Sequence, residues 1–179
     1  MSSAAEAIAE PTGARDFLRR FVRNRSAMIG AVIVSGVALM ALLAPWLAPQ
    51  DYQRTNMAFV WEPPGEDFVL GADQLGRDIL SRMLIGARVS LVVAFSVLAL
   101  AMAIGVSVGM AAAWRGGWVD TLAMRAADIT FAFPELIVAI LIAAILGPGI
   151  PTVVISLALV GWPGIARITR SLVLGLRNE

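Results

Sequence analysis

The sequence contains no cysteine and no histidine. Disulfides, thiol catalysis and imidazole-based metal sites are excluded together. It also contains no lysine, so all 14 basic residues are arginine. That pattern reads as the coding bias of a GC-rich genome and carries little functional content. Charged residues make up 15% and the formal net charge is +1, which leaves no global nucleic-acid footprint. No Gly-rich GKS or GKT loop is present. What the chain does have is apolar residues. They reach 59%, with a mean hydropathy of +0.80, against roughly 45–50% in soluble domains. They cluster in long blocks, which points to membrane spans.

Residues 1–14 are small and polar. They are expected to be disordered and to form no signal peptide, since no apolar core directly follows a basic start. Between Arg15 and Arg25, Phe17/Phe21 and Leu18/Val22 stand four apart among five arginines. Two readings stand: a short basic amphipathic helix on an anionic leaflet, or a positive flank that fixes topology. Residues 1–26 together form the expected cytosolic tail.

The first expected span is 27–48, about the ~20 residues needed to cross. Residues 49–88 read as an external loop ending in an amphipathic helix from Leu75 to Arg88. Its apolar stripe, Leu75/Ile79/Met83, suits packing better than ligand binding, and Asp78 and Arg82 are spaced for an i,i+4 pair. The remainder, 89–179, reads as spans at about 89–113, 129–146 and 152–166. A polar connection (114–128), a Gly147-Pro148-Gly149 turn and a basic amphipathic tail fill the intervals. Gly105 and Gly109 form a GxxxG that permits close helix packing. The expected fold is thus all-α and polytopic, with about four transmembrane helices.

Arginine counting sets the expected orientation. A cytosolic N-terminus leaves Arg15, Arg19, Arg20, Arg23, Arg25, Arg115, Arg125, Arg167, Arg170 and Arg177 inside. Only Arg54, Arg77, Arg82 and Arg88 then fall outside.

Three blocks carry a family resemblance. The first is LGAD-x-x-GRD-x-x-SR-x-x-x-GAR-x-SL, from Leu70 to Leu91. The second comprises Gly116, Gly117, Trp118, Asp120, Met124, Arg125, Asp128, Phe133 and Pro134. The third comprises Gly147 to Gly149, Gly161 to Pro163, Ala166, Arg167 and Arg170. In this order and spacing the chain resembles the C-type permease subunit of dipeptide/oligopeptide/nickel ABC importers. Ala72 departs from the family pattern, which has Thr there.

The resemblance implies a multi-pass subunit of a bacterial or archaeal inner or plasma membrane. It implies a B-type permease partner, two ABC ATPase subunits and an external solute-binding protein, with no nucleic acid involved. ATP and Mg would be bound by the ATPase subunits, so no cofactor is expected in this chain. The solute would be short peptides or a related small molecule. In the family, an EAA-motif coupling loop and two more spans follow the segment after Arg170. The chain stops at Glu179, so an N-terminal portion of a permease, truncated before that loop, is expected.

Individual residues admit paired readings. Asp128, Pro134 and Glu135 are candidates for the translocation path or a gate. Against this, Asp128 also reads as an interfacial carboxylate at a helix start, Glu135 as one reaching headgroup water, and Pro134 as a tolerated membrane proline. Asp73, Arg77, Asp78 and Arg82 are external docking candidates, or simply pair within their own helix. Asp120, Arg125, Arg167 and Arg170 are cytosolic structural candidates. An embedded enzyme needs convergent acid/base residues, and none stands out. A small ion-driven carrier or channel needs repeats and polar midspan residues, which are lacking apart from Glu135. A non-functional truncated fragment is a further alternative.

Overall fold

A computed structural model describes residues 21–177. Residues 1–20, which hold most of the expected tail and the first part of the basic segment Arg15 to Arg25, lie outside the described residues; residues 21–23 are helical, and Asn24 separates them from the next helix. Among the described residues every extended regular element is a helix. The chain divides into two compact units, 1–88 and 89–179, and each is taken by itself.

In the first unit, α1 (Arg25–Leu47) begins at Asn24, whose side chain accepts a hydrogen bond from the Ala27 amide at 3.2 Å. That is a standard helix N-cap. Its 23 residues rise about 35 Å, enough for the roughly 30 Å hydrocarbon layer. Only Ala41 and Ala44 are buried, and Val34 and Leu42 point outward as lipid-facing residues should. Pro45 falls in the last turn, just before the helix stops. A loop with one 3-10 turn, Met57–Phe59, follows.

The next helix, α2 (Ile79–Arg115), runs 37 residues without interruption. The separate amphipathic helix expected from Leu75 to Arg88 does not exist as such. Residues 75–78 are loop, and the helical residues after them continue directly into the uncharged run. No Pro, Gly pair or cap intervenes to stop the helix. At about 55 Å, α2 is longer than the hydrocarbon layer is thick.

The second unit contains the rest of α2 and three further helices: α3 (Gly117–Phe131), α4 (Glu135–Leu146) and α5 (Ile150–Arg177). The stretch 114–128, read as a polar connection, is mostly α3. The stretch 129–146, expected as one span with Pro134 in its first half, is broken. Pro134 has no amide hydrogen and biases Phe133 away from helical geometry. The chain leaves α3 at Ala132 and restarts at Glu135, with a bend of 91°. Among the described residues three helices are long and apolar enough to cross a membrane, or four spans if the bent α3–α4 pair counts as one. The long α5 absorbs both the expected fourth span and the tail, and it passes through a buried Pro163 without ending.

The core of this unit is made of small residues. Ala101, Ala112, Ala158 and Ala166 are buried. A Cβ on Gly105 would lie 2.7 Å from the Ile165 Cβ and 2.8 Å from the Trp162 carbonyl oxygen. One on Gly109 would lie 2.4 Å from the Ala166 carbonyl oxygen. The GxxxG is therefore a real contact face, and α5 is its partner.

This geometry reverses an ordinary rule. Alanine favours a helix over glycine by about 1 kcal/mol. Gly86, on the same α2, has nothing within 4 Å of an added Cβ. Gly86→Ala is expected to hold or raise thermal stability in detergent. Gly109→Ala is expected to lower it by about 1–3 kcal/mol through overpacking. Equal behaviour of the two variants in a thermal unfolding series would contradict the contact.

Candidate functional site

Two ion pairs tie α3 to α5. Asp120 and Asp128 lie two turns apart on α3; Arg167 and Arg170 lie three apart on α5, on one face. Arg170 grips both Asp120 carboxylate oxygens through Nε and a terminal nitrogen, each at 2.5 Å. This bidentate geometry is one that arginine favours with carboxylates. Arg167 pairs with Asp128 and also stacks over the Phe131 ring, 4.6 Å from its centroid. A cation over a ring face is attracted by the ring quadrupole.

Asp128 therefore does not sit at a helix start. It occupies the last turn of α3, where the helix dipole disfavours a carboxylate, and Arg167 offsets this. Glu135 occupies the first turn of α4, where the dipole favours it, and is exposed. Pro134 forms the corner between the two helices. The bend thus brings Asp128, Phe131, Pro134 and Glu135 into one short stretch, with Arg167 joining from α5. Arg125 is exposed and makes no ion pair among the described residues.

Ser156 was missed in the sequence. It is 2% exposed on α5, and its hydroxyl has no hydrogen-bond partner among the described residues. A buried unpartnered hydroxyl costs about 1–3 kcal/mol. An isolated serine inside an apolar run carries no spacing signal that would have singled it out.

In the first unit the polar residues of the LGAD-x-x-GRD-x-x-SR block converge. Asp73 Oδ1 accepts from the Leu75 amide at 2.8 Å and the Arg77 amide at 3.0 Å. Its Oδ2 accepts from Arg77 Nε at 2.9 Å and also pairs with Arg82. Asp78 caps α2: its Oδ2 accepts from the Ser81 amide at 2.8 Å and from the Ser81 hydroxyl at 2.5 Å. The Ser81 oxygen in turn accepts from the Gln50 amide at 3.0 Å. Gly76 has φ +67°, and a Cβ there would lie 1.8 Å from the Asn56 carbonyl oxygen. Only glycine fits such a position. The block is thus a backbone-locked knot over the start of α2.

Two expectations change here. The Asp78–Arg82 pair is not formed, because Asp78 is consumed by the cap and Arg82 reaches Asp73 instead. Asp78 is 2% exposed, so it is unavailable to a docked partner. Arg77 and Arg82 remain partly exposed beside Asp73.

Comparison with known proteins places these blocks in context. Residues 13–64 match the family model described as the N-terminal TM domain of oligopeptide transport permease C. Residues 103–179 match the model of the binding-protein-dependent transport system inner membrane component. The chain is 39% identical over 165 residues to the oligopeptide transport system permease protein OppC of Bacillus subtilis (strain 168), covering 92% of this chain and 54% of that one. It is 36% identical over 175 residues to the di/tripeptide transport system permease protein DppC of Pseudomonas aeruginosa (strain UCBPP-PA14), covering 94% and 58%. It is 34% identical over 185 residues to the dipeptide transport system permease protein DppC of Haemophilus influenzae, covering 100% and 63%. The chain spans a little more than half the length of these curated relatives.

The Asp73 knot generates a pH prediction. Partial burial works to raise the Asp73 carboxyl. The hydrogen bonds from the Arg77 side chain and from the Arg77 and Leu75 amides, with the Arg77 charge, outweigh it and hold the group well below the usual carboxylate range. Its stabilisation is therefore complete above the unfolded value of about 3.9, and it is lost only as pH falls through the lower folded value. Amide exchange of Leu75 and Arg77 should stay protected from pH 7 down to about 4. Asp73→Ala, which removes the acceptor of both amides, should abolish that protection at pH 7. Rapid exchange in the unmodified chain at neutral pH would refute the knot.

Proposed function

The chain belongs to the binding-protein-dependent transport inner-membrane permease family, and from that premise we propose that it is a passive membrane subunit of a peptide importer. It contributes helices to a translocation path for short peptides and performs no covalent chemistry. Separate ATPase subunits bind ATP and Mg and supply the energy by phosphoryl transfer. A B-type permease completes the path, and an external binding protein delivers the solute.

The observation that carries this reading is the ordered match of both family models along one chain, together with relatives named for peptide transport. The bent α3–α4 pair supports it. A broken helix in a membrane is tolerated where it lines a cavity or is buried in protein. Asp128 and Glu135 flank the break, so they and Pro134 are proposed to border the path. Asp120, Arg167 and Arg170 are proposed to hold α3 and α5 together as the path changes shape. Arg77 and Arg82 stay candidates for contact with the binding protein, while Asp73 and Asp78 serve the knot.

Gene deletion in the native host tests the transport reading. Loss of the gene should lower ATP-dependent uptake of a radiolabelled dipeptide, and the cloned gene should restore it. Restoration should fail with Asp120→Arg and return in part with Asp120→Arg combined with Arg170→Asp. The coupling energy behind that rescue is about 1–3 kcal/mol. Uptake unaffected by deletion would overturn the assignment.

The N-terminus is proposed to be cytosolic, on the arginine asymmetry. The natural absence of cysteine makes this directly testable. A membrane-impermeant maleimide should label Thr55→Cys in intact cells, and Trp118→Cys only after permeabilisation. The reverse pattern would invert the topology.

A further inference from the structure

A groove of about 630 Å³ runs between the C-terminal part of α2 and the end of α5. That volume falls in the range of roughly 300–1,000 Å³ seen for small-molecule sites. Its sides are Met110, Trp114, Val173 and Leu176, and its arginines are Arg115 and Arg177. Met110, Trp114 and Leu176 are all well exposed. The lining is thus apolar along its length, with cationic groups grouped at the helix ends. Arg177 places one nitrogen 3.4 Å from the Ala113 carbonyl oxygen and 3.5 Å from that of Trp114, at the end of α2. That contact offsets the negative end of the helix dipole and pins the guanidinium at the groove. Its other nitrogens, and all of Arg115, have no carboxylate partner among the described residues. The other basic residues of α5, Arg167 and Arg170, are already occupied by Asp128 and Asp120.

We propose that this groove binds an anionic phospholipid, with the phosphate between Arg115 and Arg177 and one acyl chain along Met110, Val173 and Leu176. The chemistry is complementary at both ends. Basic pockets between membrane helices recognise acidic lipid headgroups, and an apolar trough accepts an alkyl chain. Trp114, exposed beside the arginines, suits the headgroup boundary, where amphipathic rings collect. The proposal rests on the second unit being embedded in a bilayer. It stands or falls separately from the peptide-transport reading.

The test uses the full chain reconstituted in vesicles of equimolar phosphatidylglycerol and phosphatidylcholine. The protein is extracted in mild detergent, and the retained lipid is quantified by mass spectrometry. The unmodified chain should retain phosphatidylglycerol in clear preference to phosphatidylcholine. Arg115→Gln with Arg177→Gln should reduce that preference on the order of thirtyfold, at the usual strength of a basic residue near an anionic lipid. Val173→Trp should fill the trough and lower total retained lipid with no change in charge. Arg125→Gln, which removes an exposed unpaired arginine elsewhere on α3, should change nothing. Equal retention of the two lipids by the unmodified chain would overturn the proposal, whether or not the double variant folds. So would a preference that survives both groove variants, or one that Arg125→Gln abolishes.

Discussion

The second unit depends on the backbone of α2 coming close to that of α5. Lipid tails are as apolar as leucine, so no hydrophobic force drives two helices together within a bilayer. Association must come from close packing and from polar pairs. Gly105 and Gly109 supply the first, since neither has room for a Cβ against Trp162, Ile165 or Ala166. Asp120–Arg170 and Asp128–Arg167 supply the second. Helix α5 is common to both devices. One side of it receives α2 through glycine, and α3 is held to it through charge.

The same economy explains where the polar groups lie. Inside a membrane an unpaired backbone group or charge costs several kcal/mol. The break at Ala132–Pro134 opens the helical ladder, and the Ala132 amide keeps partners in the Asp128 and Ile129 carbonyls. In the first unit, the loop before α2 turns two of its carboxylates, Asp73 and Asp78, inward. Asp73 satisfies two amides and two guanidinium groups, and Asp78 satisfies a helix start. These residues order the loop through local bonds, and Phe59 and Phe68 add an edge-to-face contact within it, ring centroids 5.4 Å apart.

Much of this was legible in the sequence, for physical reasons. Apolar blocks of membrane length announce spans directly, and α1 (Arg25–Leu47) lies close to the expected span 27–48. The GxxxG was legible as a possibility but not as a fact, because its partner lies more than fifty residues away. The ion pairs show the limit more sharply. Asp120, Asp128, Arg167 and Arg170 all stood in the recognised blocks. Yet which carboxylate meets which arginine is a tertiary property that spacing along one chain does not encode. Asp78 and Arg82 had suitable helical spacing and still did not pair, because the helix begins one residue after Asp78 and the cap claims it. In the sequence the α3 segment resembles a connection because its charges look like loop polarity. Two of those charges, Asp120 and Asp128, instead lie on a face of a helix turned toward α5. Ser156 left no pattern at all.

The close approach of α2 and α5 is the claim on which the rest of the second unit rests, and solid-state NMR in lipid bilayers tests it most directly. With Gly109 and Ala166 isotopically labelled, the account predicts strong inter-residue cross-peaks between the Gly109 Cα and the Ala166 carbonyl. Absence of that contact, with Gly109 showing correlations to lipid acyl chains instead, would contradict it.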